Sequence, residues 1–138
     1  MTPRGERALL QAAVAIVCIV PLMVSTLGIV RGAAWLQPAP ATDLDSHFRY
    51  LSGIFLVMGI AFLTCIPAIE SKTARFRLLG AMVVGGGLAR LVSLAGVGVP
   101  SPGHVLGLGI ELIVVPLLLL WQARVAGLYQ RQEAVIRD

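Results

Sequence analysis

Charged residues divide the chain into four long apolar stretches. The first lies between Arg7 and Arg31 and the second between Arg49 and Glu70, and neither contains a charged residue. The third and fourth stretches each contain a single charged residue. An α-helix needs about 20 residues to cross a hydrocarbon layer about 30 Å thick, and each stretch is close to that length. The pattern predicts transmembrane helices over residues 8–30, 50–69, 78–99 and 104–123.

The period of the pattern also indicates the fold class. A strand of a transmembrane β-barrel has about ten residues, with apolar and polar positions in alternation. No such alternation occurs in these stretches. We therefore predict an all-α polytopic membrane protein, with four transmembrane helices in one bundle and a single domain over residues 1–138.

Proline and glycine residues inside the stretches predict local features of the helices. Pro21 and Pro116 are expected to kink the first and fourth helices, because proline removes a backbone donor and crowds the preceding turn. The run Gly85–Gly87 lies one turn before Arg90 and is expected to let a neighbouring helix approach closely.

Composition is typical of a protein that faces lipid. Hydrophobic residues make up 57% of the chain and charged residues 13%, whereas soluble domains have about 25% charged residues. The net charge of +4 does not indicate a nucleic-acid partner, because the basic residues stand at the ends of apolar stretches, where they set topology. The predicted partner is the lipid bilayer.

The distribution of Lys and Arg predicts the orientation. Eight of them lie in the N-terminal segment, the second loop and the C-terminal segment, whereas only Arg31 and Arg49 lie on the opposite side. Because cytoplasmic segments carry the excess of Lys and Arg, both termini are predicted to be cytoplasmic. The eight are Arg4, Arg7, Lys72, Arg75, Arg77, Arg124, Arg131 and Arg137.

Two charges interrupt the third and fourth stretches at the same depth. Arg90 is twelve residues beyond Leu78, and Glu111 is twelve residues before Ala123. At about 1.5 Å per residue, each lies about 18 Å from the cytoplasmic boundary. An unpaired charge inside the membrane costs about 2.5–3.5 kcal/mol on insertion scales. We therefore predict a salt bridge between Arg90 and Glu111 that faces the bundle interior.

Further polar residues cluster on the outer side of this pair. His47 and Arg49 are expected at the start of the second helix, preceded by three candidate N-caps, Asp43, Asp45 and Ser46. His104 begins the fourth helix on the same face as Glu111. Together these residues predict a polar funnel that narrows from the outer surface to the ion pair, whereas the cytoplasmic half is expected to be plain apolar packing.

Three interpretations of this funnel stay open. The ion pair is purely structural, or Arg90 and Arg49 bind an anionic headgroup or a small polar molecule, or Glu111 transfers protons with His104 or His47 as a relay. A metal site is set aside, because the His and carboxylate spacing matches no metal motif and both arginines would repel a cation. The sequence identifies no catalytic residue and no cofactor.

Several short runs resemble a known family. The most specific is the run from Asp45 to Gly53, and the others are 76–80, 87–91 and 111–112, followed by Pro116 and the pair Trp121-Gln122. Together, over roughly residues 9–125, they resemble a bacterial family of short four-helix membrane proteins, domain-of-unknown-function family 4345. The resemblance implies a four-helix fold and a bacterial inner-membrane location, but no reaction. It places five residues in motif segments: Asp45, His47, Arg49, Arg90 and Glu111.

The sequence thus favours a non-enzymatic role. We expect the protein to bind a lipid-like or amphipathic small molecule, or to act as an accessory subunit of a membrane complex. A homo-oligomer is compatible with either role. The alternative is a small membrane enzyme or a proton-coupled transporter that uses Glu111.

Overall fold

The computed structural model describes residues 2–137, which form four long helical stretches without any strand. The first three are the helices α1, α2 and α3. The fourth consists of helix α4, a π segment in which the helix makes one wider turn, and helix α5. Their bounds are Pro3–Arg31 for α1, Thr42–Leu63 for α2, Thr73–Val97 for α3, Pro102–Gly109 for α4, Ile110–Val114 for the π segment and Val115–Arg137 for α5. Short 3-10 turns follow α1 at Gly32–Trp35 and α2 at Ile66–Ala68.

Each stretch is long and apolar enough to cross a membrane. The all-α prediction with four membrane helices is therefore confirmed for the described part of the chain. The helices run beyond the predicted spans at several ends, and α2 begins at Thr42, eight residues before the predicted start of its apolar span. Charged residues end the apolar stretch but do not end the helix, because Asp, Glu, Lys and Arg continue helical backbone outside the hydrocarbon layer.

The chain divides into two compact units. The terminal unit contains Met1–Leu10 and Ala68–Asp138, and the middle unit contains Gln11–Pro67. Phe76, Ile69 and Val125 are among the buried side chains of the terminal unit, and Val14 and Cys65 are among those of the middle unit. The single domain over residues 1–138 stays a prediction.

Close approach in the terminal unit depends on two glycines of α3. A side chain at Gly80 would meet Leu119, and a Cβ atom at Gly87 would lie 2.7 Å from Cδ2 of Leu112 and 3.0 Å from Cβ of Glu111. The predicted packing role of the Gly85–Gly87 run is therefore right for Gly87 and wrong for the other two, because Gly85 and Gly86 border open space. In lipid the hydrophobic effect does not drive helices together. Close packing at small residues such as Gly80 and Gly87 therefore contributes more to helix association than it would in water.

The two membrane prolines have different surroundings. Helix α1 continues through Pro21, and the hydroxyl of Ser25 donates to the carbonyl of Pro21 one turn earlier. Pro116 follows the π segment, in which Glu111 lies. A wider turn accommodates the backbone before a proline, and π segments occur frequently at functional sites. The kinks at both prolines stay predictions.

Candidate functional site

Arg90 and Glu111 contact each other in the terminal unit. Nε of Arg90 lies 3.3 Å from Oε2 of Glu111. Helix α3 carries the arginine, and the π segment packs against α3 with Glu111 beside Gly87, one turn before Arg90. The small residue thus lets the backbone that carries Glu111 come close to α3, which places the carboxylate within reach of the guanidinium.

The two partners differ in burial. The Glu111 side chain is 10% exposed, whereas the Arg90 side chain is 42% exposed. The prediction of a pair that faces the interior is therefore wrong for Arg90. Glu111 is held inside by the wide turn of the π segment, while the long arginine side chain extends from α3 toward the surface.

The contact leaves part of the guanidinium unused. An arginine head has five N–H donors in a planar fork, which matches both oxygens of a carboxylate or phosphate. Within residues 2–137, the contact with Glu111 through Nε is the one ion pair of Arg90, and its terminal nitrogens donate no hydrogen bond. Oε2 of Glu111 accepts no hydrogen bond from the described residues either. Both charges are thus held by a single contact.

The pair lies nearer to the loop that joins α3 to α4 than to the other ends of these helical stretches. Arg90 is seven residues before Val97, the last residue of α3, which corresponds to about 10 Å along the axis. Glu111 is nine residues after Pro102, the first residue of α4, or about 14 Å. Long arginine side chains near helix ends extend their charged heads toward the membrane interface.

His104 is near this end of the terminal unit but serves another contact. Its Nδ1 lies 2.9 Å from the hydroxyl oxygen of Ser101, just before α4. Among the described contacts, none joins His104 to Glu111. The predicted relay between these two residues stays a prediction, and the observed bond stabilises the start of α4.

Asp45 and Arg49 form a second ion pair, in the middle unit. Oδ2 of Asp45 accepts a hydrogen bond from Nε of Arg49 at 2.8 Å, and Oδ1 accepts one from the backbone N–H of Ala33 at 2.8 Å. Nη1 of Arg49 donates to the backbone carbonyls of Ile29 and Val30. These carbonyls belong to the last turn of α1, where backbone acceptors have no partner inside the helix. The pair therefore holds the end of α1 against the start of α2.

Gly32 makes this arrangement possible. It follows the last residue of α1 with φ at +61°, a left-handed conformation that glycine adopts without strain. A side chain at Gly32 would run into the Asp45 carboxylate and the Arg49 guanidinium. The predicted N-cap roles of Asp43, Asp45 and Ser46 are wrong: the N-cap of α2 is Ala41, which makes no side-chain cap bond, and the three residues lie inside the helix.

His47 is exposed on α2. Its ring centroid is 6.4 Å from that of Tyr50, with the planes tilted by 31°. The described residues form no hydrogen bond with its imidazole. The predicted funnel would draw residues from both units and stays a prediction.

A further polar cluster lies at the other end of the terminal unit. Nε of Arg124 donates to Oε1 of Glu6 at 2.6 Å, and Nε of Arg7 lies 2.9 Å from Oε2 of Glu70. Glu6 is 8% exposed at its side chain and Arg124 69% exposed, so the acid is turned inward and the base outward. Arg7 also lies over the ring of Tyr129, 5.8 Å from its centroid.

Gln122 is a buried polar residue two positions before Arg124 on α5. It is fully buried, and its amide nitrogen donates to the carbonyl of Ile69 at 2.8 Å and to the hydroxyl of Thr73 at 2.9 Å. The expectation of plain apolar packing in the predicted cytoplasmic half is therefore wrong. The signal in the sequence was weak: Gln122 is the one amide side chain between His104 and Ala123, and its partners are about 50 residues away along the chain.

The described residues offer no group of three or more His, Cys, Asp or Glu side chains that could hold a metal ion. The ionic contacts above instead join oppositely charged side chains. The chemistry available at Arg90 is therefore recognition of an anion by the guanidinium, and the chemistry available at Glu111 is transfer of a proton.

Comparison with known proteins identifies a family. The profile of the family described as domain of unknown function DUF4345 matches residues 9–122, most of the chain. A search of curated proteins finds no match. A search of solved structures finds none either. With four helices able to cross a membrane and a profile match over most of its length, this chain is a multi-pass membrane protein that belongs to the DUF4345 family.

Proposed function

We propose that this protein binds the anionic group of a lipid-like, amphipathic molecule at Arg90, without catalysing a reaction. The observation that carries the proposal is the half-exposed Arg90 side chain, whose guanidinium contacts the buried Glu111 through Nε at 3.3 Å. An arginine that served only to neutralise Glu111 would be expected to bury both heads and to use a two-bond contact. Here the terminal nitrogens of Arg90 donate no hydrogen bond to the described residues.

The surroundings of Arg90 suit an amphipathic ligand. Gly86 stands one turn from Arg90 on the same face of α3 and borders open space, which leaves room for an acyl chain. Leu88 and Val92 are exposed on the same helix, so the chain would continue on an apolar surface. An anionic head within about 10 Å of the end of α3 would lie near the membrane interface.

The contacts of the other polar residues favour binding over catalysis. General acid–base catalysis needs a proton-transferring group within hydrogen-bond distance of the reacting atom. His104 is bonded to Ser101, and Asp45 and Arg49 bond the backbone between α1 and α2. We therefore leave Asp45, Arg49, His47 and His104 out of the proposed site, in which Arg90 binds the anion and Glu111 is the ionic partner of Arg90.

We further propose that both termini are cytoplasmic and that the membrane is a bacterial inner membrane. The eight Lys and Arg residues on one side, against two on the other, support this orientation. In this orientation the anion site at Arg90 opens to the outer leaflet.

The test uses purified protein in detergent and a soluble short-chain phosphatidylglycerol, with phosphatidylcholine of equal chain length as the comparison lipid. Wild-type protein is expected to bind the anionic lipid more tightly. In the double variant Arg90→Gln with Glu111→Gln, which removes both charges and leaves no unpaired one, we expect affinity to fall about ten- to a hundredfold. This corresponds to about 1.5–3 kcal/mol for a hydrogen bond to a charged group.

The matched control is Arg77→Gln, an exposed arginine at the other end of α3. It removes one positive charge from the same helix and is expected to bind as the wild type does. Equal losses in the double variant and the control, or no preference of the wild type for the anionic lipid, would refute the proposed site.

A further inference from the structure

We propose that the site couples the two ions: an anion that binds Arg90 is accompanied by one proton that binds Glu111. This inference rests on the proposed function and concerns its regulation. It starts from the geometry of the pair, in which one exposed cation is the ionic partner of one buried carboxylate.

An anion on Arg90 changes the charge of the site. Before binding, Arg90 and Glu111 neutralise each other. After binding, two anions share one guanidinium, and one of them is the Glu111 carboxylate, which is 10% exposed and accepts no hydrogen bond at Oε2 from the described residues. A buried carboxylate without sufficient compensation takes up a proton rather than remain charged. Proton uptake from water forms the O–H bond of the Glu111 carboxyl group and returns the site to zero net charge.

Neighbouring elements supply no other charge that would compensate Glu111. The π segment packs against α3, α4 and α5. Of the titratable residues, α3 contributes Arg90 at this contact, and α4 contributes His104, which is seven residues before Glu111 and bonded to Ser101. Between Val115 and Ala123, α5 carries no charged or titratable residue. Among the described residues, Arg90 is therefore the one charged group that can offset the negative charge of Glu111.

The coupling has a measurable consequence. Because a proton binds together with the anion, the affinity for an anion of constant charge should rise as the pH falls, by up to about tenfold per pH unit. Short-chain phosphatidylglycerol is a suitable probe, since its phosphodiester keeps a single negative charge over the whole pH range of the experiment. Phosphatidylcholine has no net charge and is expected to show no such dependence.

The experiment is isothermal titration calorimetry with this probe, at a series of pH values and in two buffers of different ionisation enthalpy. The difference between the binding enthalpies measured in the two buffers gives the number of protons taken up for each lipid bound. For the wild type we expect uptake of up to one proton for each lipid bound. Glu111→Gln, which is neutral at every pH, should bind at least as tightly as the wild type, without proton uptake and without pH dependence. Glu70→Gln removes a carboxylate paired with Arg7 and should retain the wild-type proton uptake.

The possible results separate the two proposals. If the wild type binds the anionic lipid without proton uptake at any pH, the coupling is refuted while the anion site stands. If Glu111→Gln is folded but no longer binds, Glu111 positions Arg90 and the coupling is refuted as well. If the wild type does not bind the anionic lipid at any pH, both proposals fall. If the variant does not fold, the proton count on the wild type still tests whether a proton accompanies the anion, and its absence refutes the coupling.

Discussion

The buried amide of Gln122 allows a quantitative prediction about stability. Replacing it by Met keeps the length of the side chain but removes both donated hydrogen bonds, to the Ile69 carbonyl at 2.8 Å and the Thr73 hydroxyl at 2.9 Å. Hydrogen bonds between side chains in membrane proteins contribute about 0.6 kcal/mol on average and at most about 1.7 kcal/mol. The two bonds together therefore contribute about 1.2–3.4 kcal/mol.

A second term acts in the opposite direction. Oε1 of Gln122 is buried and has no hydrogen-bond partner among the described residues, so its removal relieves about 1 kcal/mol of desolvation cost. We expect Gln122→Met to lower the free energy of unfolding by about 0.2–2.4 kcal/mol, since the contribution of the two lost bonds exceeds the desolvation cost that removal of the carbonyl relieves.

The assay is reversible unfolding in mixed micelles, followed by circular dichroism. The control is Gln130→Met on the exposed side of the same helix, which changes the same chemical group without a buried bond. It should alter the free energy of unfolding by less than about 0.5 kcal/mol, as surface substitutions usually do. If the two variants unfold at the same denaturant concentration, the hydrogen bonds of Gln122 do not stabilise the terminal unit and the reasoning is wrong.

Three further predictions follow from single positions. Gly87→Ala should lower the free energy of unfolding by about 1–3 kcal/mol, because its Cβ would lie 2.7 Å from Leu112, whereas Gly86→Ala should be tolerated, and the same unfolding assay compares them. Gly32→Ala should cost at least about 1–2 kcal/mol in that assay, because φ is +61° and the methyl group would meet Asp45; a stability equal to the wild type would contradict the described turn. Reporter fusions at Lys72 and at Pro100 should fall on opposite sides of the membrane, with Lys72 in the cytoplasm, and the reverse result would overturn the proposed orientation.

The fold could be predicted from the sequence because its strongest signal is local. A run of about 20 apolar residues without a charge has few structural solutions other than a membrane helix. The helix ends could not be predicted in the same way, since Thr42–Arg49 is polar and still helical. Its first two turns are stabilised by contacts with residues 29–33, and these contacts form only once the chain has turned back on itself.

Two residues of the site, Arg90 and Glu111, could also be predicted from a local signal. Arg90 and Glu111 stood out because each is the one charge in an otherwise apolar stretch, and counting residues placed them at equal depth. Their unequal burial depends on Gly87 and on the π segment, which residue counting does not detect. The partners Glu6 and Arg124 are 118 residues apart, and neither stands out among the charges that flank the apolar stretches.

The most direct test of the central claim, that Arg90 binds an anion rather than only neutralising Glu111, is to exchange the two residues. In the variant Arg90→Glu with Glu111→Arg, the ion pair can form again, but the cation moves to the buried position and the exposed one becomes acidic. We measure the binding of short-chain phosphatidylglycerol together with the free energy of unfolding. We predict a folded protein that has lost its preference for the anionic lipid. A folded protein that binds this lipid as the wild type does would show that the pair is structural and would contradict the account.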